Sequence, residues 1–327
     1  MLFQLFLIIA GVVLVLWGAD RLTDGAVALA GRMGIPQIVI GLTIVAIGTS
    51  MPELCVSMVS ALKGTAALAV GNVVGSNIFN TLLITGVAAV VSPMTILPST
   101  VRRDIPIAVV ASVLLTIMVV SDGDLSRFEA AVLLVGFAAF MWLTLKGTKT
   151  KTETGTITKT KTITKTEAEA DTETKGELSV GRSVLLLVVG LACLIVGSNI
   201  FVDGATEVAA RLGVSEAVIG LTVVAGGTSL PELATSVVAA RKGNSGIAIG
   251  NVLGSNVMNI LLILGAAGVI CPMTVSGITT VDFAMLAGSV LLLWLFANTR
   301  LTIARWEGAV LAALFLAYMT WLVAGAV

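Results

Sequence analysis

The hexapeptide Gly48-Thr49-Ser50-Met51-Pro52-Glu53 places a carboxylate inside an apolar stretch, and Gly227-Thr228-Ser229-Leu230-Pro231-Glu232 repeats it in the second half of the chain. The surrounding stretches, 41–95 and 220–274, align without a gap, and 33 of their 55 positions are identical. Chance would give only a few identities, so the chain contains an internal duplication. Two glutamates in matched apolar surroundings are therefore the feature that the function has to explain.

The composition predicts an all-α integral membrane protein. Hydrophobic residues make up 57% of the chain and charged residues 12%, and the mean hydropathy is +1.06. A soluble domain carries about 25% charged residues, whereas apolar runs long enough to cross a hydrocarbon core of about 30 Å recur along this chain. The chain has no histidine, which excludes imidazole metal sites and histidine-based catalytic triads.

Ten transmembrane helices are predicted, five in each copy. Their approximate ranges are 2–30, 37–62, 65–91, 104–121 and 127–146 in the first half, and 183–210, 216–240, 245–270, 282–298 and 302–325 in the second. Because five is an odd number, the second copy enters the membrane from the opposite side. The prediction is thus two inverted five-helix repeats, with kinked second, third, seventh and eighth helices around a site at the membrane midplane. Secondary transporters use such inverted repeats to place a binding site there.

The chain divides into the first repeat at 1–146, a linker at 147–181 and the second, inverted repeat at 182–327. The linker is rich in Thr, Lys and Glu and nearly lacks apolar residues, so we predict that it is disordered. With the amino terminus outside, the inner side carries 15 Lys and Arg residues and the outer side 3, leaving Arg21 within the first helix. The positive-inside rule then places both termini outside the plasma membrane and the linker in the cytoplasm.

Pro52 predicts a kink in the second helix, because proline cannot donate a backbone hydrogen bond and its ring clashes with the preceding turn. Irregular backbone in a membrane is tolerated only where protein or water lines it. We therefore expect the hydroxyls of Thr49 and Ser50, and a freed carbonyl near Ala46, to face a cavity. The same reasoning applies to Pro231 in the seventh helix.

The third helix presents a polar stripe, since Asn72, Ser76 and Asn80 lie four residues apart and share one helix face. The second copy repeats these features at Ala225, Thr228, Ser229, Glu232, Asn251, Ser255 and Asn259. For Asn72 and Asn251, a role in holding neighbouring helices together is an equally good interpretation. For Asn77 and Asn256 that structural role is favoured.

A second matched pair of acids, Asp24 and Asp203, lies outside these stretches and has the same spacing along the chain as Glu53 and Glu232. We interpret both aspartates as interfacial residues at helix ends, with an ion entry path as the alternative.

The candidate site offers carboxylate, hydroxyl, amide and carbonyl oxygens, which are the ligands that hard cations prefer. Neither repeat has an interior Lys or Arg beside its glutamate. An ionised carboxylate inside a membrane costs at least about 2.5–3.5 kcal/mol on insertion scales, so a cation must come from solution or the group stays protonated. Two carboxylates balance one divalent ion or about two monovalent ions, and competition for the same oxygens would be the basis of exchange.

At these motifs the chain resembles the sodium/calcium exchanger family, in the prokaryotic branch of the cation/calcium exchanger superfamily. The residues that carry the resemblance are the two hexapeptides together with Gly-Asn-Val-Val-Gly-Ser-Asn at 71–77 and Gly-Asn-Val-Leu-Gly-Ser-Asn at 250–256. The resemblance covers nearly the whole chain outside the linker. It implies ion sites between the second, third, seventh and eighth helices, and a first and sixth helix that slide together to switch access.

The resemblance also assigns roles to single residues. It implies that calcium is held by Glu53, Glu232, Thr49 and Thr228, that sodium is held by the carbonyls of Ala46 and Ala225 with Ser76 and Ser255, and that Asn80 and Asn259 line the middle. Some members of the family have an aspartate where Asn259 stands, so a third carboxylate is not implied here. With Ser50, Ser229, Asn72 and Asn251 added from the motifs, these residues are the predicted ion-binding set.

The predicted function is a secondary active antiporter that exchanges sodium for calcium, with a calcium/proton antiporter as the alternative. Its expected partners are the two ions and the lipid bilayer; we expect no resident cofactor, nucleic acid or obligatory protein partner. A hydrolase would need a nucleophile and a base, and Ser50 or Ser229 with a glutamate is conceivable. Without a His or Lys in the cavity the base is poor, so the chain is not predicted to be an enzyme.

Overall fold

The computed structural model describes residues 2–153, 179–212, 225–275 and 277–326, and the fold of these ranges is almost entirely helical. The helices are α1 (Leu2–Met33), α2 (Gln37–Thr49), α3 (Met51–Leu62), α4 (66–91), α5 (100–122), α6 (Arg127–Glu153), α7 (Val180–Arg211), α8 (Ala225–Thr228), α9 (Leu230–Arg241), α10 (Ser245–Ile270), α11 (Thr280–Arg300) and α12 (Arg305–Ala326). Four two-residue strands complete it: β1 (Met94–Thr95), β2 (Asp124–Leu125), β3 (Met273–Thr274) and β4 (Thr302–Ile303).

Eight of these helices are long and apolar enough to cross a membrane, and α2 with α3 adds a ninth span if the bent pair is counted as one. The predicted span 216–240 lies partly outside the described residues, which include only α8 and α9 of it. At the end of the first half, α6 continues to Glu153 and so enters the segment predicted as linker. The remainder of that segment up to residue 178 lies outside the described residues.

The kink predicted at Pro52 is present. The axes of α2 and α3 meet at Ser50 with a bend of 49°, and Pro52 lies in the first turn of α3, where its missing N–H would have had no partner within the helix. Pro231 occupies the same place in α9.

One detail differs from the prediction, because the carbonyl of Ala46 is not left free. It accepts a hydrogen bond from the Ser50 N–H at 3.0 Å and another from the Thr49 hydroxyl at 3.5 Å. Thr49 and Ser50 thus close the last turn of α2 by donating to the Ala46 carbonyl. A carbonyl oxygen at this point is already occupied by protein donors.

Helical turns with π-type hydrogen bonding interrupt several spans, which the sequence pattern did not predict. They lie at Gly41–Val45 in α2, Phe79–Ile84 in α4, Thr100–Asp104 in α5 and Met258–Leu264 in α10. The turns in α4 and α10 occupy matched places in the two halves and contain Asn80 and Asn259. Single π-type turns inside α-helices often mark functional sites.

Helices α1 and α7 pack closely along their length through glycines. A Cβ atom added to Gly18 would lie 2.8 Å from the carbonyl oxygen of Gly190, and one added to Gly190 would lie 2.6 Å from the N atom of Leu22. Contacts of Gly11 with Gly197 and of Gly25 with Ser183 continue this series. Since α1 residues of rising number meet α7 residues of falling number, the two helices run antiparallel.

The strand pairs join the two halves of the chain. Strand β1 pairs with β4, with Met94 opposite Ile303, and β2 pairs with β3, with Leu125 opposite Met273. Both pairs are antiparallel. Each half therefore contributes one strand to each pair, at corresponding places in the two repeats.

Substitution of Gly190 by Ala tests the close packing of α1 and α7. The added methyl group has backbone atoms of α1 in its way, so we expect a loss of about 1–3 kcal/mol in the free energy of unfolding. Thermal unfolding in detergent should show a lower midpoint for Gly190→Ala. The control is Gly288→Ala in α11, where a Cβ meets nothing within 4 Å; equal midpoints for the two variants would contradict this packing.

Candidate ion-binding site

Glu53 and Glu232 lie in the first turns of α3 and α9, and both side chains are fully buried, with 0% exposure. The first turn of a helix carries free N–H groups and a partial positive charge, so it favours a carboxylate. The proline after the bend fixes where each of these helices begins. The local sequence therefore places both acids at helix ends inside an apolar interior.

The two repeats are joined at the glutamates by crossed hydrogen bonds. The Ser229 hydroxyl donates to Glu53 Oε1 at 2.9 Å, and the Ser50 hydroxyl donates to Glu232 Oε1 at 3.0 Å. In each case the donor is the serine that lies three residues before the other glutamate. The structure thus brings together the two hexapeptides, which lie in opposite halves of the chain.

Each glutamate keeps one carboxylate oxygen without a protein partner. Oε2 of Glu53 and Oε2 of Glu232 are both buried and accept no hydrogen bond from the described residues. No ion pair of the described residues includes either glutamate. A buried acceptor left unpaired costs about 1–3 kcal/mol, and more if it is charged, so both oxygens are available to a cation or a proton.

Asn72 and Asn251 hold the polar helices together. The Asn72 amide donates to the Glu53 carbonyl at 3.3 Å and to the Ser57 hydroxyl at 2.9 Å. Asn251 makes the matching bonds, to the Glu232 carbonyl at 3.3 Å and to the Ser236 hydroxyl at 3.0 Å. Their amide nitrogens are thus occupied in tying α4 to α3 and α10 to α9.

The oxygen of the Asn251 amide is also occupied, because the Thr49 hydroxyl donates to it at 3.0 Å. Thr49 is fully buried. Ser255, also fully buried, donates to Glu232 Oε1 at 3.5 Å. Ser255 thus lies beside the Glu232 carboxylate, and Thr49 lies beside Asn251, which bonds the Glu232 carbonyl.

The asparagines nearer the middle of α4 and α10 connect these two helices. Asn77 donates to the Asn256 carbonyl at 3.1 Å, Asn256 donates to the Thr81 hydroxyl at 2.7 Å, and Asn259 donates to the Asn77 amide oxygen at 3.0 Å. The structural role expected for Asn77 and Asn256 is therefore observed. Asn80 differs, since both polar atoms of its side chain are buried and have no protein partner.

The remaining predicted residues lie in the same region of the fold. Ser76 is 4% exposed, Thr228 ends α8 and has a polar partner, and Ala225 is the first residue of α8. Sequence reasoning missed Ser57, Ser236 and Thr81, which the hydrogen bonds above include. Ser57 and Ser236 could have been found, because each lies four residues after a glutamate and matches the other across the duplication.

The donor set consists of two carboxylates surrounded by neutral oxygens. In the described residues no group of three or more His, Cys, Asp or Glu side chains is placed to hold a metal ion. A site of this kind has a formal charge of −2 when both acids are ionised, and it contains no nitrogen or sulfur ligand. Hard cations such as calcium and sodium match it in both charge and ligand type.

Comparison with known proteins identifies the family. Residues 3–146 and 182–324 match the family model described as sodium/calcium exchanger protein. The chain belongs to the sodium/calcium exchanger family. The two matched ranges leave out the segment between them.

Named relatives and a solved structure agree with this membership. The sodium/calcium exchanger MaX1 of Methanosarcina acetivorans is 38% identical over 96% of each chain. The putative antiporter CaxA of Alkalimonas amylolytica is 36% identical over 97% of this chain and 98% of its own. The structure of the sodium-calcium exchanger NCX_Mj, soaked with sodium and calcium, covers 98% of each chain with a TM-score of 0.82 and 30% identity.

Replacement of Asn251 by Leu tests its structural role. The change removes hydrogen bonds to Thr49, Ser236 and the Glu232 carbonyl inside a fully buried site, so we expect a loss of about 1–3 kcal/mol in stability. The measurement is thermal unfolding in detergent, with Asn298→Leu at an exposed position of α11 as the control. If both variants unfold at the wild-type temperature, Asn251 does not hold α10 to α9.

Proposed function

We propose that the protein is a secondary active antiporter that exchanges sodium for calcium by alternating access. The observation that carries this proposal is the pair of fully buried glutamates joined by crossed serine hydrogen bonds, each with one carboxylate oxygen that lacks a protein partner. The positive charge that balances them is supplied by transported ions. Two carboxylates balance one calcium ion or about two sodium ions. The same oxygens therefore cannot bind calcium and sodium at the same time.

The ion-binding set that we propose extends around these two acids. It comprises Glu53, Glu232, Thr49, Thr228, Ser50, Ser229, Ser76, Ser255, Asn80, Asn259, Ala46, Ala225, Asn72 and Asn251. The support is strongest for the glutamates, which have unpaired oxygens, and for Asn80, whose amide is buried and unpartnered. For Asn72 and Asn251 the hydrogen bonds favour a supporting role, in which they fix the carbonyl and position of each glutamate.

An inverted repeat of two five-helix units would let this site open to each side of the membrane in turn. Three observations support the inversion: the ungapped duplication, the antiparallel contact of α1 with α7, and the two strand pairs that each take one strand from each half. Counting residues 216–240 as one span completes ten helices. The Lys and Arg distribution supports both termini outside the plasma membrane.

The names of the relatives support the choice of ions. MaX1 and NCX_Mj are named as sodium/calcium exchangers, and both are similar to this chain over nearly its full length. A calcium/proton antiporter is the second candidate, because a buried carboxyl oxygen without a protein partner can also take a proton. The two candidates share the site and differ only in the ion that competes with calcium.

Sodium-driven calcium uptake into proteoliposomes tests the site. We expect Glu53→Gln and Glu232→Gln each to lower the uptake rate on the order of 100-fold, since an amide cannot balance the cation and about 3 kcal/mol is lost for one charge in a membrane. Glu207→Gln, at an exposed position on α7, is the control and should transport normally. Normal uptake by either site variant, with the protein folded, would contradict the proposal.

The driving gradient distinguishes the two candidates. We expect a sodium gradient at constant pH to drive calcium uptake, and a pH gradient in sodium-free buffer not to drive it. The internal calcium concentration is followed with a fluorescent indicator in the same vesicles. Uptake that follows the pH gradient and ignores sodium would establish the calcium/proton antiporter instead.

A further inference from the structure

Lys242 connects α1 to the helix that carries Glu232. It follows the last residue of α9, and its Nζ atom lies 2.6 Å from Asp20 Oδ1 and 2.9 Å from Asp24 Oδ1 on α1. It also donates to the Asp20 carbonyl at 3.3 Å. The side chains of Lys242 and Asp24 are each 29% exposed, so this ion pair lies at the edge of the protein interior.

The duplication supplies a counterpart of this contact in the other half of the chain. In the register that aligns Glu53 with Glu232, Lys242 corresponds to Lys63 and Asp24 to Asp203, whereas Asp20 corresponds to Asn199. Lys63 follows the last residue of α3, the helix that carries Glu53, and Asp203 lies on α7. The same two residue types are thus present in matched places, on α3 and α7 instead of α9 and α1.

The two copies of this contact are in different states. Lys63 and Asp203 are both exposed, and neither forms an ion pair with another residue of the described ranges. The matched aspartates Asp24 and Asp203 thus differ in whether they reach the matched lysine, and the two contacts are not equivalent in this conformation.

The packing of the helices that carry these charges differs in the same direction. Helix α1 makes extensive contact with α9, whereas its counterpart α7 makes little or no contact with α3. Among the described residues, the side that carries the formed ion pair is thus the more closely packed one.

We propose that these charges form two alternate latches. Lys242 with Asp20 and Asp24 holds α1 against α9 and closes one face, and Lys63 with Asp203 holds α7 against α3 and closes the opposite face when the first is released. This inference rests on the proposed alternating access. It adds the residues that set the position of the moving helices in each state.

The close glycine packing of α1 and α7 explains how the two latches exclude each other. Because backbone atoms of one helix touch those of the other, the two helices move as one body. A movement that brings Asp203 to Lys63 takes Asp24 away from Lys242. Partly exposed ion pairs change an equilibrium by only about fivefold or less, so each latch biases the transporter without locking it.

The second aspartate makes the latches unequal. Lys242 has two carboxylate partners, and Lys63 has one aspartate and the neutral Asn199 in the matching places. The state closed at Lys242 is therefore favoured when no ion gradient acts.

Chemical cross-linking tests the proposal without depending on transport. In a chain with Cys55, Cys193 and Cys271 replaced by Ala, Lys63→Cys and Asp203→Cys are introduced, and the rate of reaction with a short bifunctional methanethiosulfonate is measured. Adding Lys242→Gln should raise this rate about three- to fivefold, because the opposite state becomes more populated. The combined variant Asp20→Asn/Asp24→Asn removes both carboxylate partners of Lys242. It should have the same effect, which covers a failure of Lys242→Gln to fold.

Arg211→Gln is the matched control, since Arg211 forms an ion pair with Glu207 within α7 that joins no second helix. It should leave the cross-linking rate unchanged. An unchanged rate in both Lys242→Gln and Asp20→Asn/Asp24→Asn would overturn the proposal. Sodium-driven calcium uptake is measured separately in the same cysteine-free chain, so a failure of the proposed function is seen as lost uptake while the cross-linking result stands by itself.

Discussion

The structure depends on the burial of two carboxylates in an apolar interior, where no Lys or Arg of the described ranges forms an ion pair with them. Glu53 and Glu232 are fully buried, and each uses one oxygen to accept a hydrogen bond from a serine of the other repeat. The second oxygen of each has no hydrogen-bond partner among the described residues, and in the proposed function a transported cation occupies it. Because an uncompensated charge is costly in a membrane, two ionised carboxylates in this place would need cations or protons from solution.

Because the motif is duplicated, both halves of the chain contribute residues around the two buried glutamates. Each repeat supplies a proline-started helix with a glutamate, an asparagine that fixes the glutamate's backbone, and a serine that reaches the other acid. Neither half contains a complete site, because the crossed bonds take a donor from one repeat and an acceptor from the other. The halves also differ, since Lys242 forms ion pairs with α1 and Lys63 forms none within the described residues; in the proposed alternation this difference marks the side that is closed.

Much of this arrangement could be predicted from the sequence, because apolar length, a repeated Pro-Glu motif and four-residue spacing are local signals. The bend at Pro52, the helical class and the burial of the polar stripe follow from them. The π-type turns, the bonded carbonyl of Ala46 and the crossed serine pairing could not be predicted. These features depend on the detailed geometry of the folded chain, and for the serine pairing on how two distant segments pack. The spacing of residues within one segment does not indicate this packing.

The most direct measurement is anomalous diffraction from crystals of the protein soaked in calcium and then in sodium. We expect a calcium peak with oxygens of both Glu53 and Glu232 at about 2.3–2.6 Å, and loss of this peak as sodium replaces calcium. A calcium ion bound elsewhere, or one that stays between the glutamates at high sodium, would show that the two ions do not compete for these carboxylates.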